Sequence, residues 1–315
     1  MAFWGGMNKA WDVAVAGEIF ADHVFSGFAR WPQPGEELFT DSYVREVGGG
    51  AAITACGLAR LGRRSALLAV AGREDAWIGA RLRSCDVILE GLKLIEEGTA
   101  VTVSLSTRDD RSFFTWPGAN KQLAEHLRDP DTQVQLAQAR HVHFAVALDR
   151  ALAMELFPRL KDNGCTLSID PGYHPDWLTE AENLGTCREV DFFLPNEKEG
   201  QIMTGRERPE EILGELTSAG IHGAVLKLGR NGAAALVNGQ MIRVQPPAVE
   251  AIDTTGAGDA FDAGLIDAIL DSQSVSAAIA RGCLCGSLST RRAGAISALP
   301  GREELDLYYE QIRQS

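Results

Sequence analysis

Short apolar runs alternate with helical patterns along most of the chain. The runs that we interpret as buried strands are 12–17, 66–72, 141–148, 165–170, 190–196 and 223–229. Residues 51–62 instead have the apolar spacing of a helix, which ends at Gly62. Continuous apolar strands separated by helices are typical of a parallel sheet that helices cover on both faces. The pattern therefore predicts an α/β protein with three layers, an α/β/α sandwich around a mainly parallel central sheet.

One region has a different period. Residues 100–107 alternate strictly between apolar and polar positions, and a second short run, 111–116, follows after a turn. Upstream, residues 36–47 also have the pattern of an exposed strand. Alternation indicates a sheet with one face in water, so we expect a small β-sheet lid built from two segments, near 20–47 and 91–118. Such a sheet could cover a site or form a subunit contact.

Composition narrows the class of partner. The 315 residues carry a formal net charge of −13, which disfavours nucleic acid or an anionic membrane as the main partner. No apolar run is long enough to span a bilayer, and no charged segment precedes the first apolar run as it would in a secretory signal. Six scattered cysteines are typical of a reducing compartment. We therefore expect a cytoplasmic protein with a loose tail, residues 1–10, before a single domain, residues 11–315.

Polar and glycine-rich clusters follow several of the predicted strands. They lie at 17–22, 48–50, 170–174, 194–199, 226–232 and 253–259. Because ligands of open α/β sheets bind beyond the carboxyl ends of the strands, these clusters are expected to converge on one site.

The cluster at 253–259 combines a glycine-rich turn with an acid. Gly256, Ala257 and Gly258 precede Asp259, and apolar residues with helical spacing follow. Free N–H groups and the dipole at such a helix start favour an anion, and glycines let the backbone approach phosphate oxygens. A carboxylate beside them can accept the proton of an attacking hydroxyl, which suits phosphoryl transfer to an alcohol. The alternative is an ordinary capped helix with an acid in its first turn.

Two other patterns are weaker evidence of a functional site. His141 and His143 share one face of a predicted strand, as in some metal hydrolases, but the partners that such a site needs are not recognisable. We interpret both as structural residues. Gly48 and Gly50 are not a dinucleotide fingerprint, because Ile53 occupies the place of the third glycine. The chain has no Walker A lysine motif.

The motif DTTGAGDAFDAGLI resembles the C-terminal signature of the ribokinase-like (PfkB) carbohydrate kinases at every position that this signature constrains. Residues 48–62 resemble the N-terminal signature of the same family. Shorter matches, in the family's order, are GEIFADHV (17–24), PGAN (117–120), LPNEKEG (194–200) and LKLGRNGA (226–233). The resemblance covers almost the whole chain. It implies the ribokinase-like fold and an ATP- and Mg²⁺-dependent kinase for a sugar or sugar-like polyol, and the exposed lid strands suggest a homodimer.

The resemblance also implies a role for each matching residue. Asp259 would be the catalytic base, and Gly256, Ala257 and Gly258 would form the anion hole for the transferred phosphoryl group. The residues that would bind the substrate are Asp22, Gly48, Gly49 and Asn120. A carboxylate such as that of Asp22 can accept from two sugar hydroxyls, although a loop acid in water is the ordinary alternative.

For the nucleotide, the matching residues are Asn196, Lys227, Gly229 and Gly232. Glu199 would act with Asn196 on Mg²⁺ through its waters, since Mg²⁺ keeps several waters and needs few protein oxygens. A helix cap followed by an acidic turn explains the same two residues equally well. Lys227 stands where many members have Thr, and either reaches the phosphates of ATP or ends its strand in water. Asp253 and Thr255 resemble a site for a monovalent cation such as K⁺.

Two positions depart from the family's pattern. Ile53 stands where many sugar-specific members have Asn, so the usual sugar contact is missing there. Gly172 and His174 occupy the places of the Asn and Arg of ketodeoxygluconate kinases, which gives an acidic sugar less support. His174 and Arg111 are still candidates for binding a negatively charged substituent.

Three alternatives stay open. A nucleoside kinase of the same fold would place Ile53, Phe114 and Trp116 against a base. A phosphosugar kinase would need a concentrated basic cluster for the second phosphate, which the sequence does not show. A sugar- or nucleotide-binding regulator without catalysis is disfavoured by the intact Asp259 and the glycine turn before it.

Overall fold

The computed structural model of the protein describes residues 9–107 and 111–314. Its strands are β1 (Trp11–Gly17), β2 (Phe20–Phe28), β3 (Ser42–Gly48), β4 (Ser65–Gly72), β5 (Leu92–Ile95), β6 (Val101–Thr107), β7 (Arg111–Trp116), β8 (Ala139–Ala145), β9 (Thr166–Asp170), β10 (Phe192–Phe193), β11 (Val225–Lys227), β12 (Ala233–Val237) and β13 (Gln240–Val244). Its α-helices are α1 (Gly50–Arg60), α2 (Ala76–Arg83), α3 (Leu123–Arg128), α4 (Pro130–Leu136), α5 (Arg150–Asp162), α6 (Pro175–Thr179), α7 (Asn183–Arg188), α8 (Glu197–Thr204), α9 (Pro209–Ser218), α10 (Ala257–Leu270), α11 (Val275–Ser289) and α12 (Arg302–Gln314).

The central sheet has the strand order β10-β9-β8-β1-β4-β5, and all its neighbouring strands are parallel. The first strand, β1, lies between β4 and β8, so the chain proceeds from it toward both edges. Single parallel bridges from Phe193 to Ala224 and from Asn196 to Lys227 attach β11, which forms an antiparallel sheet with β12 and β13. The carboxyl end of β1 is a topological switch point, the usual place of a ligand in such sheets.

Helices cover both faces of this sheet, and alternate residues of β1 face the two layers. Val13 and Val15 pack in one core with α1, α2, α10 and α11. Ala14 and Ala16 pack in the other core with α3, α5 and α9. All four side chains are fully buried. The predicted three-layer α/β/α sandwich with a mainly parallel sheet is therefore confirmed.

Close contacts through glycine hold α1, α10 and α11 together. A Cβ added to Gly57 of α1 would lie 2.7 Å from the Cβ of Ala263 on α10. A Cβ on Gly264 would lie 2.7 Å from the Sγ of Cys285, and one on Gly282 would lie 2.8 Å from the ring of Phe261. Because these helices touch nearly backbone to backbone, the starts of α1 and α10 are held at a fixed spacing.

A second sheet, here called the lid sheet, has the order β3-β2-β6-β7. Strands β2 and β6 are parallel, whereas β2 with β3 and β6 with β7 are antiparallel. At the body end of β3, Glu46 accepts two hydrogen bonds of 2.8 Å from Arg81 of α2. The large apolar side chains that the lid sheet exposes are Tyr43, Val44, Phe113, Phe114 and Trp116.

Three segments differ from the sequence prediction. Leu92–Ile95, which we expected in the lid, pairs with β4 at the edge of the central sheet because its apolar residues pack on the main cores. The predicted strand 36–47 begins only at Ser42, after a proline-rich turn with Gly35 in a left-handed conformation. The predicted strand 190–196 shortens to two residues, because Pro195 has no N–H to donate and the next residue caps α8.

The predicted N-terminal tail mostly lies outside the described residues, which begin at Lys9. Lys9 itself is fixed, since its Nζ donates to the carbonyl oxygens of Ala137 and Asn163 at 2.7 and 2.6 Å. All six cysteines are buried free thiols. Within the part of the chain that the structure describes, no helix combines the length and apolar character needed to cross a membrane.

Candidate active site

The turn Gly256–Gly258 leads directly into α10. Gly256 is the N-cap of this helix and has a left-handed conformation, with φ at 73°. A Cβ there would also lie 2.9 Å from both Ile53 and Ala295, so conformation and space both require glycine. The following residues present backbone N–H groups at the positive end of a 14-residue helix. This part of the site is therefore suited to an anion.

Asp259 lies in the first turn of α10 and faces the start of a second helix. Its Oδ1 is 2.9 Å from the point where a Cβ on Gly50, the first residue of α1, would stand. Thr54 of α1 donates from its hydroxyl to the carbonyl oxygen of Asp259 at 3.2 Å. Burial and the charge of Asp170 raise the pKa of Asp259 to about 7, although Lys227 acts in the opposite sense. A carboxylate with this pKa can give and take a proton near neutrality.

Asp22 lies at the other end of the same glycine run. A Cβ on Gly48 would lie 1.9 Å from the Asp22 Oδ2, so the carboxylate rests on bare backbone. Burial, together with the charges of Glu46, Asp259 and Asp253, raises the pKa of Asp22 to about 7. Asp22 is therefore not the solvated loop acid that we considered as its alternative. Asp22 and Asp259 thus approach the two ends of the same bare backbone, residues 48–50.

A buried ion cluster lies next to the turn Gly256–Gly258. The Nζ of Lys227 is 2.6 Å from the Oδ2 of Asp170 and 3.2 Å from both carboxylate oxygens of Asp262. Lys227 is only 8% exposed, so the alternative that it ends its strand in water is wrong. Carboxylate oxygens of Asp170, Asp259 and Asp262 all lie within 4.8 Å of one another, the spacing of groups that could hold a cation. The ammonium of Lys227 lies among them.

Asn196 and Glu199 form a capping box at the start of α8. The Oδ1 of Asn196 accepts from the N–H of Glu199 at 2.9 Å, and both carboxylate oxygens of Glu199 accept from N–H groups of Asn196. Burial, with the charge of Asp170, raises the pKa of Glu199 to about 7. The capping alternative is therefore real, but it leaves lone pairs on the carboxylate for waters of a metal ion.

Asp253 connects two loops beside the turn. Its Oδ1 accepts from the N–H and the hydroxyl of Thr255 at 2.9 and 2.7 Å, and its Oδ2 accepts from the N–H of Gly294 at 3.0 Å. The fold thus brings Asp253 and Thr255, which the resemblance associated with a monovalent cation, together with the backbone of Gly294.

A groove of about 490 Å³ opens on the other side of Gly258. Its lining is mostly apolar and includes Gly229, Gly232, Pro246, Pro247, Val249, Thr254, Phe261, Cys283 and Thr290. The expected segments 227–232 and 253–258 contribute to it. Asn196 and Glu199 do not line it, and residues 246–251 with α11 complete the wall instead. A flat apolar group could bind here with its polar end toward the start of α10.

The defining sequence pattern of the pfkB family of carbohydrate kinases matches residues 12–302. The chain belongs to this family. It is 28% identical over 306 residues to a ribokinase of Haemophilus influenzae, covering 93% of this chain and 96% of that protein. It is also 28% identical over 293 residues to the 2-dehydro-3-deoxygluconokinase of Bacillus subtilis, covering 84% of this chain and 86% of that protein.

The fold agrees with this assignment. The structure of Arabidopsis thaliana ribokinase complexed with ribose and ATP matches with a TM-score of 0.84 at 24% identity, over 96% of this chain and 99% of that one. Family membership confirms the predicted enzyme class, a sugar kinase that transfers a phosphoryl group to an alcohol. The ribokinase-like fold predicted from the signature motifs is confirmed as well.

Other predicted residues of this pfkB kinase have positions that the sequence did not specify. Asn120 is buried, and its amide exchanges hydrogen bonds with the backbone of Ile19, at 3.5 Å to the N–H and 3.1 Å to the carbonyl. It thus fixes the turn before Asp22. Gly49 is pressed against the carbonyl of Glu18, 2.4 Å from where its Cβ would be. The side chain of Arg111 lies outside the described residues.

The departures noted in the sequence have structural explanations. Ile53 is 3% exposed and packs under Gly256, so it supports the anion turn and is not an open contact for a sugar or a base. His174 lies 3.8 Å from the carboxylate of Glu18. A positive charge on His174 would therefore be paired with Glu18 and would be less available to a negatively charged substrate. His141 and His143 both hydrogen-bond the hydroxyl of Ser168 at 2.7 Å inside the core. Burial lowers the pKa of these two histidines to about 3 and 4, so both are neutral.

Asp170 and Asp262 are the functional candidates that the sequence reasoning missed. Asp170 ends β9, and the carboxyl end of a central strand was itself a usable signal. Asp262 follows Asp259 by three residues, so the two lie on one face of α10. Asp262 is fully buried and therefore needs a buried partner, and Lys227 is that partner.

Proposed function

We propose that this pfkB kinase transfers the γ-phosphoryl group of ATP to a hydroxyl of a neutral sugar or sugar-like polyol. The observation that carries the proposal is the position of Asp259 at the starts of two helices. It lies against Gly50, in the glycine run that also contacts Asp22, and it directly follows Ala257 and Gly258, which line the apolar groove. The acceptor would bind on the glycine run between Asp22 and Asp259, a place here called the acceptor pocket, and would present its hydroxyl to Asp259. A nucleotide bound in the groove would present its phosphates to Gly256–Gly258.

The transfer itself needs little covalent chemistry from the protein. The O–H bond of the acceptor breaks, and its proton goes to the carboxylate of Asp259. The acceptor oxygen forms a bond to the γ-phosphorus while the bond from phosphorus to the bridging oxygen breaks, and that electron pair leaves with ADP. N–H groups of the turn stabilise charge on the moving phosphoryl group. Closure of the lid sheet would exclude water, which is a competing acceptor.

A neutral acceptor is favoured by the charges around the pocket. Besides burial, the charges of Glu46 and Asp259 already raise the pKa of Asp22. A sugar acid or sugar phosphate would add a further negative charge there, and His174 is already beside Glu18. The relatives named above include a ribokinase and a 2-dehydro-3-deoxygluconokinase. Of these two substrate types, the uncharged sugar fits the pocket better.

The capping box of α8 supports Mg²⁺ as the metal. Glu199 is 2% exposed and its carboxyl has a raised pKa, so a nearby divalent cation with its waters would stabilise the charged form. When bound, Mg²⁺ would neutralise charge on the phosphate chain. Asn196 would keep the carboxylate of Glu199 oriented through the hydrogen bonds that it already makes.

A monovalent cation is proposed next to the anion hole. Asp253 offers a carboxylate fixed by Thr255 and Gly294, at the base of the turn that leads to Gly256. A K⁺ ion there would stabilise the turn and, through it, the N–H groups of the anion hole. Replacing K⁺ by tetramethylammonium, which is too large for such a site, should lower kcat if the site operates. Equal rates in the two salts would remove K⁺ from the proposal.

The exposed face of the lid sheet supports a homodimer. Its two edge strands, β3 and β7, carry Tyr43, Phe113 and Trp116, each about half exposed. Exposed aromatic residues on unpaired strand edges are typical of a subunit contact. Sedimentation velocity of the wild type and of Phe113→Glu would test it, with a dimer expected for the wild type and a monomer for the variant. A wild-type monomer would exclude this pairing.

A coupled assay of ADP release over a panel of sugars, sugar acids, sugar phosphates and nucleosides tests the proposed function directly. We expect turnover with a neutral sugar and little with the charged acceptors. The highest kcat/KM on a nucleoside would favour the nucleoside kinase instead. Binding of ATP or of a sugar by calorimetry without any turnover would identify a regulator and overturn the proposal.

A further inference from the structure

The ion cluster below the anion hole has a geometry of its own. The Nζ of Lys227 touches Asp170 at 2.6 Å and Asp262 at 3.2 Å, and the three side chains are 10%, 11% and 0% exposed. A Cβ on Gly258 would lie 3.5 Å from the same Nζ. The ammonium of Lys227 is thus in contact range of the anion hole, while its two hydrogen-bonded carboxylates hold it from below.

The cluster contains more acids than bases. Asp170, Asp262 and Asp259 bring three carboxylates within 4.8 Å of one another, and Lys227 is the cation among them. Buried charges that are not balanced are costly, so the cluster must retain a proton. Burial raises the pKa of Asp262 well above its usual value. Burial also opposes the ionisation of Asp170, but Lys227 and hydrogen bonds outweigh it and lower the pKa of that carboxyl.

We propose that Lys227 is a positioning residue for phosphoryl transfer, which holds a fixed positive charge under the start of α10 and sets the ionisation of Asp259. This inference rests on the proposed function. Asp170 and Asp262 hold the ammonium in place, and Asp170 partly cancels its charge. The balance between Lys227 and Asp170 then decides how readily Asp259 is ionised before it accepts the proton of the acceptor.

Other groups that face Asp259 act in the same balance. From β2 comes Asp22, from α8 comes Glu199, and both are coupled to the charge of Asp259. Helix α1 faces Asp259 with Gly50 and the neutral Thr54. In this set, Lys227 is the cation that lowers the pKa of Asp259, so its removal should raise that pKa.

The test compares Lys227→Met with Asp170→Asn. Removing the ammonium should raise the pKa of Asp259, so the acid limb of the kcat/KM profile should move to higher pH by about one unit, and kcat should fall at least 10-fold. Asp170→Asn should move the limb to lower pH. The matched control is Lys161→Met, because Lys161 pairs with an exposed glutamate on the surface at 3.1 Å. Its profile should equal that of the wild type.

A double variant serves as a control for misfolding. Lys227→Met alone leaves buried carboxylates unpaired, so it could unfold the protein. Lys227→Met/Asp170→Asn removes one charge of each sign and should fold, with an acid limb near that of the wild type and a lowered kcat. Opposite shifts in the two single variants support the inference. Folded variants with wild-type kcat and an unmoved limb overturn it, whereas a wild type that turns over no acceptor overturns the proposed function instead.

Discussion

Asp259 and Gly50 meet where two helices begin. The Oδ1 of Asp259 lies 2.9 Å from the point where a Cβ on Gly50 would stand. Asp259 is in the first turn of α10, and Gly50 is the first residue of α1. The carboxylate therefore lies at the N-terminal ends of two helix dipoles. These dipoles favour its charged form, while burial and Asp170 oppose it.

The first prediction concerns this contact. Gly50→Ala would place a methyl group against the Asp259 carboxylate and against the Cβ of Ala145, which is 3.3 Å away. We expect the carboxylate to move, with a fall in kcat of about 10-fold or more and a smaller change in KM for ATP. Steady-state kinetics would measure both. The control is Gly214→Ala on α9, where nothing lies within 4 Å of the new methyl group. That change should leave kcat unaltered and stabilise the protein by about 0.5–1 kcal/mol.

The second prediction concerns the pH dependence of the rate. Asp259 must be ionised to accept a proton, and its pKa is about 7. The value of kcat/KM should therefore rise with pH through about 7 and level off above it. Asp22, whose pKa is also about 7, should steepen the rise if its charged form binds the acceptor. A profile measured from pH 5 to 9 that stays flat would exclude Asp259 as the base.

The third prediction concerns stability. The pKa of Asp259 is raised from 3.8 in the unfolded reference to about 7 in the fold. The contribution of this carboxyl to stability is therefore fully present below about pH 4 and is lost as pH rises through about 7, because the folded state resists its ionisation. Asp259→Asn removes this penalty. We expect the free energy of unfolding to increase by about 1–2 kcal/mol at pH 8 and to stay unchanged at pH 4, while kcat falls about 100-fold or more. Urea titrations at the two pH values would measure the difference. Equal effects at both would contradict it.

The fourth prediction separates the two roles of Glu199. Glu199→Gln keeps an acceptor for the backbone N–H of Asn196 but removes the charge. The melting temperature should hold or rise, while the Mg²⁺ concentration for half-maximal rate should increase several-fold. Asn196→Ala instead removes the cap of α8 and should cost about 1 kcal/mol of stability. If Glu199→Gln leaves the Mg²⁺ dependence unchanged, Glu199 has only the capping role.

The sequence predicted that a glycine turn and a carboxylate share one helix start, because these residues are contiguous. Gly256 to Asp259 lie in one turn at a helix start, so local physics alone places N–H groups and a carboxylate together. The layers of the sandwich could be predicted for the same reason, because apolar periodicity is also a local property of the sequence. Leu92–Ile95 was assigned to the wrong sheet, because four residues of mixed burial are compatible with either one.

The ion cluster was not predictable in this way. Lys227, Asp170 and Asp262 come from β11, β9 and α10, which meet only in the folded chain. No spacing along the sequence marks them as partners, and each alone has an ordinary explanation. The same holds for Glu46 and Arg81, which connect β3 to α2.

The close contact between Gly57 and Ala263 has a consequence for mutagenesis and protein engineering. No ligand is expected near it, yet the thickness of this contact sets the separation of the two helix starts that frame Asp259. A residue with a side chain at position 57 would wedge α1 away from α10 and misalign acceptor and phosphate. In a mutational scan, such core positions should therefore score like catalytic ones. The packing of these helices is thus expected to constrain substitutions in this enzyme as strictly as its chemistry does.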